Sequence, residues 1–159
     1  YYSIIDGKTV GPFSTSCACA ALVAGASQKV ADSLYEFGTE FGRAFQLVDD
    51  LLDLTGDPSM GKPRGTDVHE GKMTLPLIHA LTTLHGAERE HLADVLNNFS
   101  DDRWNELHSL LEISDSMEYV KQLIQNHVDR ALKILDSLPF SPARELMSEV
   151  ALVSKKRRI

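Results

Sequence analysis

The chain has 159 residues, 43% hydrophobic and 25% charged, enough for one domain with a real core and without the composition of a disordered segment. Its formal net charge of −7 argues against nucleic acid as a partner, because phosphate backbones need a basic face. No apolar run is long enough to span a bilayer, and Tyr1-Tyr2-Ser3-Ile4-Ile5-Asp6 lacks the basic and apolar regions of a signal peptide. A first residue of Tyr rather than Met points to a native chain that begins further upstream.

Helical periodicity dominates, with no convincing strand or hairpin signal. The first helix is predicted from about Lys8 to Gly25, rich in Ala, Ser and Cys. Proline inside a helix costs about 3 kcal/mol, so Pro12 allows a start at Gly11 instead, with Lys8 and Thr9 in a turn. Cys17 and Cys19, two apart on a helix, point in different directions, which reads as unpaired thiols in a reducing, cytoplasmic setting. The second helix starts near Ser27, carries Val30, Leu34, Phe37, Phe41, Phe45 and Val48 at spacings of three and four, and stops around Thr55.

A long irregular stretch follows, from Gly56 to Thr74, and loops of that kind are usually functional or disordered. Thr74 is placed to N-cap a helix through Leu84, with Pro76 tolerated in its first turn. Two short helices are expected near Glu88–Asn97 and Asp101–Leu111. The clearest helix is Ser116–Leu138, where Asp115 and Glu118 have capping-box spacing and Met117, Val120, Ile124, Val128, Ala131, Leu135 and Leu138 fall on one stripe. Pro139 ends it, and Ser141-Pro142 opens a last helix in cap-then-proline order. With no repeat or linker, residues 1–159 read as one domain of packed helices.

The segment Phe45-Gln46-Leu47-Val48-Asp49-Asp50-Leu51-Leu52-Asp53 is the most informative. Asp49 and Asp53 share nearly one face, roughly 6 Å apart along the axis, with Asp50 beside them. Aspartate is a poor helix former, faces the wrong end of the dipole here, and repels its like at this spacing. A solvated acidic edge would tolerate those costs; a divalent cation would reverse the last two, and magnesium favours one or two carboxylates completed by waters and phosphates. Lys62, Arg64 and Lys72 stand among glycines directly afterwards, which suits the gathering of cationic and backbone groups round an anion. Gly56-x4-Gly61-Lys62 imitates a nucleotide-binding P-loop, but Pro63 replaces the metal-binding hydroxyl and a helix, not a strand, precedes it. The six histidines show no metal-ligand spacing and read as surface or satisfied core.

Asp49-Asp50-x-x-Asp53, Gly61-Lys62-Pro63, Gly65-x-Asp67 and Gly71-Lys72-x-Thr74-Leu75-Pro76, with Lys8-Thr9 upstream, together resemble the C-terminal half of trans-isoprenyl diphosphate synthases over residues 1–80. That resemblance implies an all-α, antiparallel helical bundle of the isoprenoid synthase type, and a homodimer. It implies a prenyltransferase that condenses isopentenyl diphosphate head-to-tail with an allylic diphosphate. Asp49, Asp50 and Asp53 would ligate Mg2+, directly or through water. Lys8, Lys62 and Lys72 would hold the allylic diphosphate, while Thr9 and Gln46 resemble the polar groups near the cation and the proton-removal step. Lys8 and Thr9 could instead simply begin a helix, Gln46 could be an exposed polar position, and Asp67 could only brace the loop. The family's first aspartate-rich motif is absent, so activity requires a missing N-terminal half; the alternative is a non-catalytic subunit or a truncated, inert relative.

Overall fold

The computed structural model describes residues 1–55 and 64–155, with side chains to residue 153. Among the described residues there is no strand. The elements in chain order are α1 (Tyr2–Ile5), a π-helical turn (Asp6–Val10), α2 (Gly11–Val23), α3 (Gln28–Thr55), α4 (Thr66–His69), α5 (Leu75–Thr83), α6 (Gly86–Asn97), a 3-10 turn (Asp101–Arg103), α7 (Trp104–Ile113), α8 (Ser116–Asp136) and α9 (Pro142–Lys155). They form two compact units, one of residues 1–48 with the chain from Leu123 onward, the other of residues 49–122.

In the first unit the chain is already helical at Tyr2, earlier than the predicted start at Lys8. Lys8 and Thr9 lie in neither a regular α-helix nor an open turn but in the π-helical turn, where the Gly11 amide reaches back five residues to the Asp6 carbonyl. Pro12 explains the arrangement. It brings no amide hydrogen and sits in the first turn of α2, so the wider π ring accommodates it without breaking the helical path. Arg43 of α3 holds the same turn through the Asp6 carboxylate.

The small-residue composition of α2 serves close approach to α3. A Cβ on Gly38 would lie 2.6 Å from the Ser14 Cα, and one on Gly42 3.0 Å from the Val10 Cα. Phe13 packs edge-on against Phe41, their ring centres 5.1 Å apart, and also meets Phe45. Phe37, Ala131, Leu135 and Ala151 form the buried centre between α3, α8 and α9. Ser141 caps α9 as its order predicts, its Oγ accepting the Arg144 amide at 3.2 Å.

The second unit is organised round Leu54, Leu77, Leu92, Trp104, Leu107 and Leu111, contributed by α3, α5, α6 and α7. Two expectations change here. Thr74 does occupy the N-cap position of α5, but its hydroxyl makes no capping bond, and it is buried without a partner among the described residues. Asp115 sits at φ 52, closing α7 in the left-handed region, not in the extended backbone that a capping box at α8 requires.

Candidate active site

The C-terminal end of α3 carries the acidic edge. Asp49 and Asp53 are half-buried, whereas Asp50 is 3% exposed and therefore not part of an open edge. Asp53 is engaged on both oxygens: Oδ1 accepts the Thr66 amide and Oδ2 the Asp67 amide, each at 3.0 Å. Its backbone carbonyl also accepts the Gly65 amide at 2.9 Å. Gly65, at φ 69, turns the chain into α4, a short helix inside a stretch that reads as irregular in sequence. Thus Asp53 anchors the first turn of α4, satisfying amides that have no partner within the helix.

Charge accumulates at this point. Burial lifts the Asp53 carboxyl above the usual aspartate range; the Asp67 and Asp49 carboxylates push it the same way, against the two amide bonds. Lys72 Nζ lies 2.8 Å from Asp67 Oδ1 and 2.6 Å from Glu70 Oε2, and these bonds raise its pKa. The predicted diphosphate-binding ammonium is therefore held by two carboxylates, and Asp67 braces the loop at both its amide and its side chain. Lys62 lies outside the described residues.

In the first unit, Thr9 Oγ1 donates to Gln46 Oε1 at 2.7 Å, joining two candidate residues 37 apart in sequence. Lys8 is exposed on the adjoining position of the π-helical turn.

The donor chemistry fits a hard divalent cation. Asp49 and Asp53 are oxygen donors, and the Asp67 and Asp49 charges, which add to burial in raising the Asp53 pKa, are what a cation would neutralise. Among the described residues no three acidic, histidine or cysteine side chains gather closely enough to hold a metal alone. The face can supply one or two carboxylates, which suits an ion that keeps waters and takes phosphate oxygens for the rest.

A family model described as polyprenyl synthetase matches residues 1–113. The chain belongs to the polyprenyl synthetase family. It is 36% identical over 160 residues to heptaprenyl diphosphate synthase component 2 of Geobacillus stearothermophilus, covering 99% of this chain and 49% of that one. It is 32% identical over 164 residues to octaprenyl diphosphate synthase of Escherichia coli, with the same two coverages. Among solved structures, the polyprenyl synthase of Caulobacter crescentus, complexed with calcium and isoprenyl diphosphate, superposes with a TM-score of 0.91 at 30% identity, over 100% of this chain and 49% of that one. The chain thus spans about half the length of the polyprenyl synthetases it matches, their C-terminal half, and has their all-α isoprenoid synthase fold. No helix among the described residues is long and apolar enough to cross a membrane.

Sequence spacing did not reveal the side chains that fix this polyprenyl synthetase half internally. Arg43 reaches Asp6 across 37 positions, and Glu40 meets His127 across 87. His127, 4% exposed, lies 2.7 Å from Glu40 Oε2, which also accepts Arg130 Nε at 2.7 Å.

Proposed function

We propose that this chain supplies the second metal face of a trans-prenyl diphosphate synthase that joins isopentenyl diphosphate to an allylic diphosphate. The observation that carries the reading is the acidic end of α3 tied to the loop bearing Lys72: Asp53 holds the Thr66 and Asp67 amides, and Asp67 holds Lys72. In the reaction the allylic carbon–oxygen bond breaks and the electron pair leaves with the diphosphate. The isopentenyl double bond attacks the allylic carbon, and loss of a proton restores a double bond in the lengthened product.

Asp49 and Asp53 are the residues that would hold Mg2+, with the buried Asp50 adding charge next to them in sequence; the ion when bound stabilises the departing diphosphate. Lys8, Lys62 and Lys72 supply fixed positive charge to the same anion. Thr9, its proton directed at Gln46, keeps its lone pairs for electron-poor carbon, and Gln46 is oriented by that bond. Asp67 and Glu70 keep Lys72 protonated and placed until an anion competes for it. The 159 residues act as the C-terminal half of one catalytic domain, in a homodimer, with Cys17 and Cys19 as free thiols of a cytoplasmic protein.

Turnover of isopentenyl and allylic diphosphates with Mg2+ tests the reading, comparing the complete polypeptide with its Asp49→Ala variant. A fall of at least about 100-fold in kcat is expected. A complete polypeptide inactive with every allylic primer would overturn the proposal.

A further inference from the structure

Trp104 opens α7 and is 6% exposed. Its ring lies so close to Gly65 that a Cβ built there would stand 2.5 Å from Cζ3 and 3.2 Å from Cη2. The Arg64 guanidinium covers the same ring, 4.9 Å from its centre. One turn further along α7, His108 packs on Trp104 with ring centres 4.9 Å apart, and its Nε2 lies 2.8 Å from the Leu54 carbonyl. The start of α7 therefore touches both the loop at residues 64–65 and the last turn of α3. Directly next to these contacts, the amides of Gly65, Thr66 and Asp67 bind Asp53.

We propose that Trp104 is a positioning residue for the metal face: it presses residues 64–65 into place, and so keeps the amides of Thr66 and Asp67 on the Asp53 carboxylate. It touches no reacting atom. Its effect passes through Gly65, whose missing Cβ admits the ring and whose left-handed backbone aims the following two amides. Asp53 ties loop and helix together at one carboxylate, and Trp104 adds a second hold from the core that it shares with Leu54 of α3 and Val68 of α4. The inference rests on the proposed function for its meaning in catalysis, but the clamp itself is independent of that reading.

Hydrogen exchange on the complete protein, followed by mass spectrometry without added metal, tests the clamp. Trp104→Ala should speed exchange at Thr66 and Asp67 by about 10-fold or more, Gly65→Ala should do the same with the indole retained, and Trp104→Phe should keep most of the protection. Peptides of α8 exchanging as in wild type show that the variants are folded; should Trp104→Ala fail to fold, Gly65→Ala decides. The concentration of Mg2+ giving half-maximal turnover should rise about 10-fold in Trp104→Ala and Gly65→Ala, with kcat at saturating Mg2+ changed much less. Unchanged exchange in these variants, or faster exchange with an unaltered Mg2+ requirement, would overturn the proposal. A wild-type protein without turnover would sink the proposed function alone, and the exchange rates would still decide the clamp.

Discussion

Arg43 grips Asp6 with two bonds, Nε to Oδ1 at 3.0 Å and Nη2 to Oδ2 at 2.8 Å, and so binds the π-helical turn to α3. The Arg43 bond holds the Asp6 carboxyl below the usual aspartate range, in spite of partial burial. A depressed carboxylate contributes stability above its unfolded pKa of about 3.9 and loses it as pH falls through the folded value. Both side chains are partly exposed, so screening limits the contribution to about 0.5–1 kcal/mol. Asp6→Asn should therefore lower stability by that amount in urea titrations at pH 7, and the difference from wild type should vanish near pH 2. A constant difference at both pH values would show that the ion pair is not its source.

Two glycines should respond in opposite directions to alanine. At Gly38 the new methyl would meet backbone on α2, 2.6 Å from Ser14 Cα and 2.7 Å from the Phe13 carbonyl oxygen, and backbone cannot rotate aside. Gly38→Ala is expected to cost about 1–3 kcal/mol or more. At Gly7 nothing lies within 4 Å, so alanine there should stabilise by about 0.5–1 kcal/mol through helix propensity. Thermal denaturation of the two variants checks both signs; equal effects would remove the case for close approach of α2 and α3.

His127 should make the fold acid-sensitive well above the carboxylate range. Burial holds its imidazole below the ordinary histidine value, with the nearby Arg130 and Arg43 charges acting the same way and Glu40 opposing them. The unfolded chain then binds the proton first, so stability falls as pH drops below about 6.5. Glu40 adds a second loss at lower pH: burial raises it, but the Arg130 and His127 bonds prevail and hold it below the usual glutamate range. His127→Gln should flatten the stability profile between pH 7 and 5, measured by denaturant midpoints. A histidine NMR titration at or above the ordinary value would contradict this.

The boundaries of α3, the burial of Val120, Ile124, Val128, Ala131 and Leu135 on α8, and the Ser141 cap were legible because each depends on residues within a few positions of one another. The acidic edge was legible for the same reason, at a spacing of four. Three things were not. The helix α4 has only four residues and exists because Asp53, thirteen positions earlier, satisfies its amides. Trp104 reads in sequence as an ordinary helix start after Asp101-Asp102, and its contact with Gly65 is a tertiary fact. The burial of Asp50 beside two half-buried aspartates depends on what packs over each side of α3, which spacing alone does not specify.

The π-helical turn at Asp6–Val10 has a consequence for how this chain can change in evolution. It amounts to one residue more than an α-helix of the same path would hold, and each residue turns a helix by about 100°. Because the extra residue is taken up within the turn, loss of a single codon here would restore a regular helix along the same path and leave Tyr2–Ile5 in nearly their present phase relative to α2. Ile5 would keep its buried position, whereas Lys8 and Thr9, inside the turn, would change their bearing. Shortening this turn by one residue is therefore a local change: it re-aims the residues within the turn and spares those before it. The aim of Lys8 and Thr9 should accordingly depend on the length of this five-residue stretch far more than the packing of Ile5 does.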